Sequence, residues 1–378
     1  MSLTIPIIIA LLAIGWVCLA AQLVAAMRFA GRPLPVPDLK NLPPISALKP
    51  LYGAEPGLYQ NLRSFIEQDY PTVQLVFGVN NPEDAALDDA RAVVNDFPES
   101  EIAIVIDRQI RGSNQKVSNL ENMLPAARHD LLVLADSDMR VERCYLGTVT
   151  APLRDSRVGA VTCLYKGLST GGLWSDLGAM QINFGFLPNA LLADALGLGG
   201  GCFGATIALS RATLDRIGGF ASLRDELADD RRLGDAVRAR GLSVTLSRYV
   251  VEAQVHEPSL AALWRHELRW ARTMRRMAPA GFAGSVVVHP VAIAVVAAVL
   301  SGFAAIPCVL LGVTIALRSV AAGVIARRLG LATKRLWLLP LRDALSFAVY
   351  LASFVGRKVL WRDQSFAVEP TGRMTAAE

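Results

Sequence analysis

The sequence predicts an α/β domain on a parallel, doubly wound sheet, set between apolar helices long enough to span a bilayer. Three observations predict it. From Ile45 to Leu246, short apolar segments alternate with amphipathic ones, as strands joined by crossover helices do. Within that region Leu131-Leu132-Val133-Leu134-Ala135 reads as a strand buried on both faces. It stops at two carboxylates one residue apart, Asp136-Ser137-Asp138. The 378 residues are 53% hydrophobic with a mean hydropathy of +0.38, and the excess collects at the two ends of the chain.

Residues from Thr4 to Met27 are almost wholly apolar, at the length a bilayer span needs. The start, Met1-Ser2-Leu3, lacks the positive charge of a cleavable signal, and Arg28 and Arg32 follow the span. Residues 1–28 are therefore expected to remain as an anchor, with the N-terminus outside and the next domain in the cytoplasm. Pro33, Pro35, Pro37, Pro43 and Pro44 make 29–44 an extended linker. In the domain expected over 45–259, strands are predicted at 45–49, 73–79, 102–106, 131–135, 158–165, 205–210 and 244–246. Helices are predicted at 57–68, with Leu58, Leu62, Phe65 and Ile66 inward, and at 85–97. Two more are predicted at 211–217, ended by Gly218-Gly219, and at 229–240, closed by Gly241.

The segment 260–284 opens with a helix over Leu260 to Met277. Its Arg265, Arg269, Arg272 and Arg276 are spaced four, three and four apart and share one face. Trp264, Leu268, Trp270, Met274 and Met277 supply much of the rest, a layout suited to the bilayer interface. In the membrane region expected over 285–360, the run from Ser285 to Leu317 is too long for one span. Breaks at Ser301-Gly302 and Pro307 divide it into two helices with a tight turn, returning to the cytoplasm at Arg327-Arg328. Leu336 to Val355 is apolar but holds Arg342 and Asp343, with positive charge on both flanks, which favours a re-entrant or interfacial helix pair over a simple crossing. Residues 361–378 are expected as a cytoplasmic tail, disordered from Glu369.

The formal net charge of +5 sits largely beside these apolar segments, where it attracts anionic headgroups and phosphates. No basic stripe with interleaved aromatics occurs in the middle of the chain, which excludes a nucleic-acid partner. The five cysteines show no Cys-x-x-Cys pairing and no histidines at zinc spacing, as in a reduced, cytoplasm-facing domain.

In open α/β sheets ligands sit at the carboxyl ends of the strands, and two hard oxygen ligands there suit Mg²⁺ or Mn²⁺ with a diphosphate. Sugar transfer from a nucleoside diphosphate needs a cation on the leaving group, a general base on the acceptor hydroxyl and a sheet-edge nucleotide pocket. Asp136 and Asp138 meet the first need, Asp230 (or Asp229) the second, and the segment Asn80 to Asp84 the third. Each motif alone has a plainer reading: an Asp-rich turn, an acidic helix start, an Arg-Trp at a bilayer surface. Their order along one chain, with Asp-x-Asp, then Asp229-Asp230, then Arg269-Trp270 between apolar ends, points to a membrane-bound nucleotide-sugar glycosyltransferase.

That order resembles the processive and lipid-directed GT-A glycosyltransferases, whose pattern is an early Asp, Asp-x-Asp, a later Asp and Gln/Arg-x-x-Arg-Trp. Within that group the chain looks most like ceramide glucosyltransferases and their bacterial relatives in hopanoid biosynthesis (HpnI-type). The resemblance covers residues 43 to 365. It is carried by Leu48-Lys49-Pro50-Leu51, Lys116-Val117-Ser118-Asn119-Leu120, Ala135 to Arg140, Gly204-Ala205-Thr206, Leu227 to Asp230 and Leu263 to Trp270. Gly171 to Ser175 and Phe186-Leu187-Pro188 look closer to the hopanoid branch.

The resemblance implies a GT-A (Rossmann-like) domain with α-helical transmembrane segments, in a multi-pass protein of the bacterial inner membrane. It implies that Asp84 is the early nucleotide-binding aspartate and that Lys116 lines the donor site. Asp136 and Asp138 would serve nucleotide and metal, Asp230 would be the base, and Arg269 and Trp270 would complete the site. Two departures stand out: Asn80-Asn81-Pro82-Glu83 replaces a more Asp-rich run, so Glu83 competes with Asp84, and His266 stands where the family has Gln or Arg. The expected reaction is inverting transfer of N-acetylglucosamine from UDP-N-acetylglucosamine, with Mg²⁺ or Mn²⁺, to a membrane lipid alcohol such as bacteriohopanetetrol. The alternative is glucose from UDP-glucose to ceramide. A polysaccharide synthase would need more crossings, and a non-catalytic scaffold would be expected to lack one of the carboxylates, all of which are present.

Overall fold

The apolar strand that ends at Asp136 lies inside the sheet with alternate residues on opposite faces, Leu131 and Val133 on one and Leu132 and Leu134 on the other. The computed structural model describes residues 4–34, 41–199 and 201–356, and beyond them three short strands. One eight-stranded sheet organises the middle of the chain: β1 (Ile45–Pro50), β2 (Val73–Val79), β3 (Glu101–Ile106), β4 (Leu131–Leu134), β5 (Met139–Arg140), β6 (Val158–Ser169), β7 (Ile207–Ser210) and β8 (Ser243–Val255). The strand order is β3-β2-β1-β4-β7-β6-β8-β5.

Half of this sheet is the predicted parallel one, with β1 parallel to β2 and β4, and β2 parallel to β3. The other half corrects the expectation of a wholly parallel sheet. β7 runs antiparallel to both β4 and β6, and β5 antiparallel to β8, while β6 and β8 are parallel. An apolar strand buried on both faces reads the same in either direction, so composition could not reveal the reversal. The short strand predicted at 244–246 is likewise the start of the 13-residue β8, whose later residues include Arg248, Glu252 and Gln254 and so break the apolar run.

Helices cover both faces. Leu58–Ile66, Ala86–Asp96 and Tyr145–Thr150 pack on one side through Leu58, Leu62, Phe65, Leu87, Val93 and Leu146. Gln115–Met123, Arg211–Arg216 and Asp229–Ala239 pack on the other through Val117, Leu120, Leu214, Leu233 and Val237. Gln115–Met123 was not predicted, nor was the helical run Leu173–Met180, Gln181–Phe186 (a π turn) and Leu187–Ala195. This run lies against β6. The Asn183 side chain bonds both the N–H and the C=O of Gly167, at 2.8 and 3.0 Å.

Among the described residues, three helices are long and apolar enough to cross a membrane: Ile7–Ala30, Ala305–Leu329 and Leu336–Ser353. Pro279–Val288 and Pro290–Leu300 form a further apolar pair bent by 68°, so the first of the two helices predicted after Ser285 is broken. Pro290 lacks an N–H, which breaks the helical ladder at the bend. A third core joins these helices to the sheet domain, with Ala26 and Phe29, Leu164, Phe184, Leu187, Leu263, Ile325 and Leu339 in one cluster. Arg248 reinforces it by donating to the carbonyls of Ala30 (2.7 Å) and Arg32 (3.2 Å).

Lys358–Trp361, Gln364–Val368 and Met374–Ala376 pair as a small antiparallel sheet; of the stretch expected to be disordered, 369–378, only Met374–Ala376 is among the described residues, and it is a strand. Pro35 and Pro37 of the linker, Arg357, and 369–373 and 377–378 of the tail lie outside the described residues.

One close approach tests this packing. A Cβ at Gly167 would lie 2.7 Å from Cα and 3.0 Å from O of Ala179, backbone that cannot give way cheaply. Gly167→Ala is expected to destabilise the protein by about 1–3 kcal/mol, read as a lowered thermal midpoint in detergent.

Candidate functional site

The loop Asp136-Ser137-Asp138 is pinned through all three of its carbonyls. The Lys49 ammonium donates to the Asp136 carbonyl (2.8 Å), the Asn61 amide to Ser137 (3.3 Å) and the Gln254 N–H to Asp138 (2.9 Å). Three separate elements, β1, helix Leu58–Ile66 and β8, therefore fix where the two carboxylates stand. Lys49 is fully buried, 3.7 Å from the Phe65 ring, and burial pulls its ammonium down to about 7 against the opposing charges of Asp138, Asp136 and Glu55.

Lys116 enters from the first turn of Gln115–Met123, whose start is capped by the Asn114 side chain accepting from the Val117 N–H (3.0 Å). Its ammonium lies 2.5 Å from Asp136 Oδ1. Burial alone would lower Lys116, yet Asp136, Asp229 and Asp230 together hold it above its ordinary value. Asn114 also donates to Asp229 Oδ1 (3.2 Å), joining the starts of two helices. Asp230 sits on the first turn of Asp229–Ala239 and accepts from the N–H of Gly204 (2.8 Å) and of Arg231 (2.7 Å). Burial, then the neighbouring Asp229, pushes its carboxyl up to about 6.

Gly204 is the point of convergence. A Cβ there would lie 3.4 Å from Asp136 Oδ2, from Asp230 Oδ2 and from Lys116 Nζ alike. Three of the predicted residues, 136, 230 and 116, are thus within contact of one small space. Tyr165 extends the site. Burial raises its hydroxyl above its ordinary range, and the charges of Asp230, Asp138 and Asp136 add to the rise while that of Arg269 opposes it. Tyr165 stacks on Phe186 at 4.6 Å, and Trp270 joins the same apolar patch with Ala179, Ile182 and Val255.

Arg269 faces inward. Burial lowers its guanidinium, and Tyr165 and Glu257 oppose that, so it is not part of a purely lipid-facing basic stripe. Arg272 and Arg275 of the same helix donate to the carbonyls of Val355 (2.8 Å) and Gly356 (3.0 Å). His266 is held by Glu257, Nδ1 to Oε1 at 2.7 Å, with its ring 4.3 Å from that of Trp270. Asp84 stands apart from the carboxylate cluster. Its Oδ1 accepts from the N–H of Gly53 (2.8 Å) and Ala86 (2.9 Å), tying the loop after β1 to the start of Ala86–Asp96. Lys49, Asn114, Tyr165 and Glu257 escaped the sequence reading. Lys49 alone left a signal there, a charge inside an apolar strand.

The donor set fits a divalent cation. Asp136 and Asp138 put two carboxylates one residue apart at the end of β4; burial, then Asp136 and Glu55, pushes the Asp138 carboxyl up to about 8 against the opposing charge of Lys49. Among the described residues no cluster of three or more His, Cys, Asp or Glu side chains is arranged as a closed cage.

A model of glycosyl transferase family 21 matches residues 5–374. Ceramide glucosyltransferase 1 of Caenorhabditis elegans is 27% identical over 242 residues, which cover 63% of this chain and 51% of that protein. A ceramide glucosyltransferase of Gibberella zeae is 27% identical over 158 residues, 38% of this chain and 30% of that one. The chain spans about half the length of the nematode relative and less of the fungal one. Among solved structures, the mannosyltransferase PcManGT from Pyrobaculum calidifontis, in complex with GDP-Man and Mn²⁺, aligns with a TM-score of 0.55. The identity is 19%, over 93% of this chain and 99% of that one. The likeness shows the fold: a mixed-sheet GT-A-type architecture with apolar helices at both ends of the chain.

The convergence on Gly204 makes a direct test. In Gly204→Ala the new methyl meets its neighbours at ordinary contact distance, so the thermal midpoint is expected to hold. The methyl also fills the space the three groups share. UDP affinity, by calorimetry with Mn²⁺, is expected to fall about tenfold or more, the cost of one lost charge-assisted contact.

Proposed function

We propose that this chain, which belongs to glycosyl transferase family 21, is a membrane-bound hexosyltransferase that moves a sugar from a nucleoside diphosphate to a lipid hydroxyl with inversion. The single observation that carries this reading is the convergence of Asp136, Lys116 and Asp230 on Gly204, at the carboxyl end of β4. A nucleotide-sugar diphosphate fits there because two helix N-termini, those of Gln115–Met123 and Asp229–Ala239, add their positive ends to Lys116 and Arg269.

In this reading Asp230 takes the proton of the acceptor hydroxyl. A carboxyl at about 6 is ionised at neutral pH yet more basic than an exposed aspartate, as a general base should be. The hydroxyl attacks the anomeric carbon from the side opposite the diphosphate, so one displacement inverts the centre. Arg269 meets the departing diphosphate with a guanidinium, which can bind phosphate oxygens two at a time. Asp136 and Asp138 would hold Mg²⁺ or Mn²⁺, which would neutralise charge gathering on the leaving group. Asp84 serves the nucleotide end, by holding together the loops that follow β1 and β2.

The acceptor side is lined by Tyr165, Phe186 and Trp270. Phe186 belongs to one of the segments that resembles the hopanoid branch, and a flat aromatic wall suits a rigid polycyclic lipid. We therefore favour UDP-N-acetylglucosamine as donor and a hopanoid polyol such as bacteriohopanetetrol as acceptor, in a bacterial inner membrane with the sheet domain in the cytoplasm. The 27% identity to a nematode ceramide glucosyltransferase favours the second reading, UDP-glucose and ceramide.

Turnover in nanodiscs, with each donor offered against each acceptor, separates the two. Product from the hopanoid and UDP-N-acetylglucosamine, lost at least about a thousandfold in Asp230→Asn, is the expected result. Product from ceramide alone would reassign the acceptor, and wild-type turnover in Asp230→Asn would remove Asp230 as base. The pH profile carries a sign. Because only the ionised Asp230 accepts a proton, kcat should fall as pH drops through about 6. Lys116 holds that value down, so in Lys116→Met the acid limb should move to higher pH.

A further inference from the structure

We propose that Arg342, on a helix of membrane-spanning length, is a positioning residue for sugar transfer, setting through Glu267 where Arg269 and Trp270 stand. The inference rests on the reading of the site given above. Arg342 is 1% exposed, and its guanidinium meets the Glu267 carboxylate as a two-pronged fork, 2.7 Å on each side. One prong also donates to the Leu177 carbonyl (3.3 Å), and Nε donates to Ser346 Oγ (3.2 Å). Ser346 in turn donates to Gln181 Oε1 (2.7 Å), at the first residue of the π turn.

Arg342, directly and through Ser346, thus reaches three of the elements that build the acceptor wall. Glu267 lies on the helix that carries Arg269 and Trp270. Leu177 lies on the helix Leu173–Met180 that supplies Ala179, and Gln181 opens the turn that supplies Ile182 and Phe186. At about 100° per residue, Glu267 and Arg269 point to nearly opposite sides of their helix. Holding Glu267 fixes the roll of the helix, and with it where Arg269 stands and how Trp270 meets the patch of Tyr165 and Phe186. The adjacent residue repeats the device with reversed sign: Asp343 accepts from Arg318 at 3.0 and 3.1 Å, and Arg318 donates to the Phe184 carbonyl at 2.9 Å. Both ends of the π-turn region are thus stapled to membrane helices through a carbonyl.

Stability does not account for the pair. Replacing both partners of a buried ion pair by apolar side chains is often neutral or stabilising, whereas the planar fork imposes a geometry that apolar packing does not. A shift of about 1 Å in a positioning group can cost about a hundredfold in rate.

The test uses the full chain in nanodiscs. The double variant Glu267→Leu/Arg342→Met is expected to keep its thermal midpoint and to lose kcat about 10- to 100-fold, with a smaller rise in KM for the nucleotide sugar. Wild-type kcat in a variant that melts normally would overturn the proposal. Should the double variant fail to fold, Arg342→Lys decides, since it keeps the charge but not the fork. The same loss of kcat supports positioning, and wild-type kcat overturns it. If the wild-type protein transfers sugar to no acceptor, the functional reading fails by itself. Positioning is then read from nucleotide binding: Arg342→Lys should lose part of the preference for UDP over uridine that Arg269 supplies, and an unchanged preference rejects the idea.

Discussion

Negative charge crowded at the carboxyl end of one strand is the constraint to which the rest of the site answers. Asp136, Asp138, Asp229 and Asp230, with Glu55 nearby, repel one another in a partly buried corner, and the carboxyls of Asp138 and Asp230 rise to about 8 and about 6 as a result of burial and that crowding. Such a cluster persists only if the fold supplies positive charge and N–H groups on every side. Lys116 and Lys49 supply the charge, Gly204 and Arg231 the N–H groups, and two helix starts their dipoles.

The same logic appears among the C-terminal apolar helices, with the signs arranged in pairs. Arg342 with Glu267 and Arg318 with Asp343 form two ion pairs, and each arginine also donates to a backbone carbonyl. Arg342 and Asp343 are charged residues inside the apolar stretch 336–355, whose flanking positive charges argue against a simple crossing. The structure directs both of them into the protein, so their presence in an apolar helix no longer speaks to its path through a bilayer. They also make the membrane helices part of the site. The helix bearing Arg269 and Trp270 rests on β6 and the π turn from one side and on Arg342 from the other.

Phe186 shows how these two regions meet. Its ring stacks on Tyr165, near the carboxylates, while the turn that carries it is bonded to β6 by Asn183 and to Arg318 by Phe184. A π turn adds a residue to a helix without ending it, and here it lets one continuous run serve both the active face and the membrane face.

Local composition and periodicity by themselves determined where strands β1 to β4 lie, that Asp136 and Asp138 stand at a strand end, that Leu260 to Met277 is helical, and that both ends of the chain carry apolar helices. These are properties of contiguous residues, because alternation, a 3.6-residue period and a long apolar run need no knowledge of the rest of the chain. Strand direction in the second half of the sheet, the helical run over 173–195 and the pairing of the tail were not legible, since apolar runs buried on both faces look alike. Of the site, the motif aspartates, Lys116 and the Arg-Trp pair could be named from order and resemblance, whereas Tyr165, Glu257 and Arg342 could not. Only tertiary structure decided that Gly204 lies between Asp136, Asp230 and Lys116, and that Glu267 meets an arginine 75 residues away. Contacts of that span are chosen by the path of the loops and the packing of the helices between them, and they leave no local trace in the sequence.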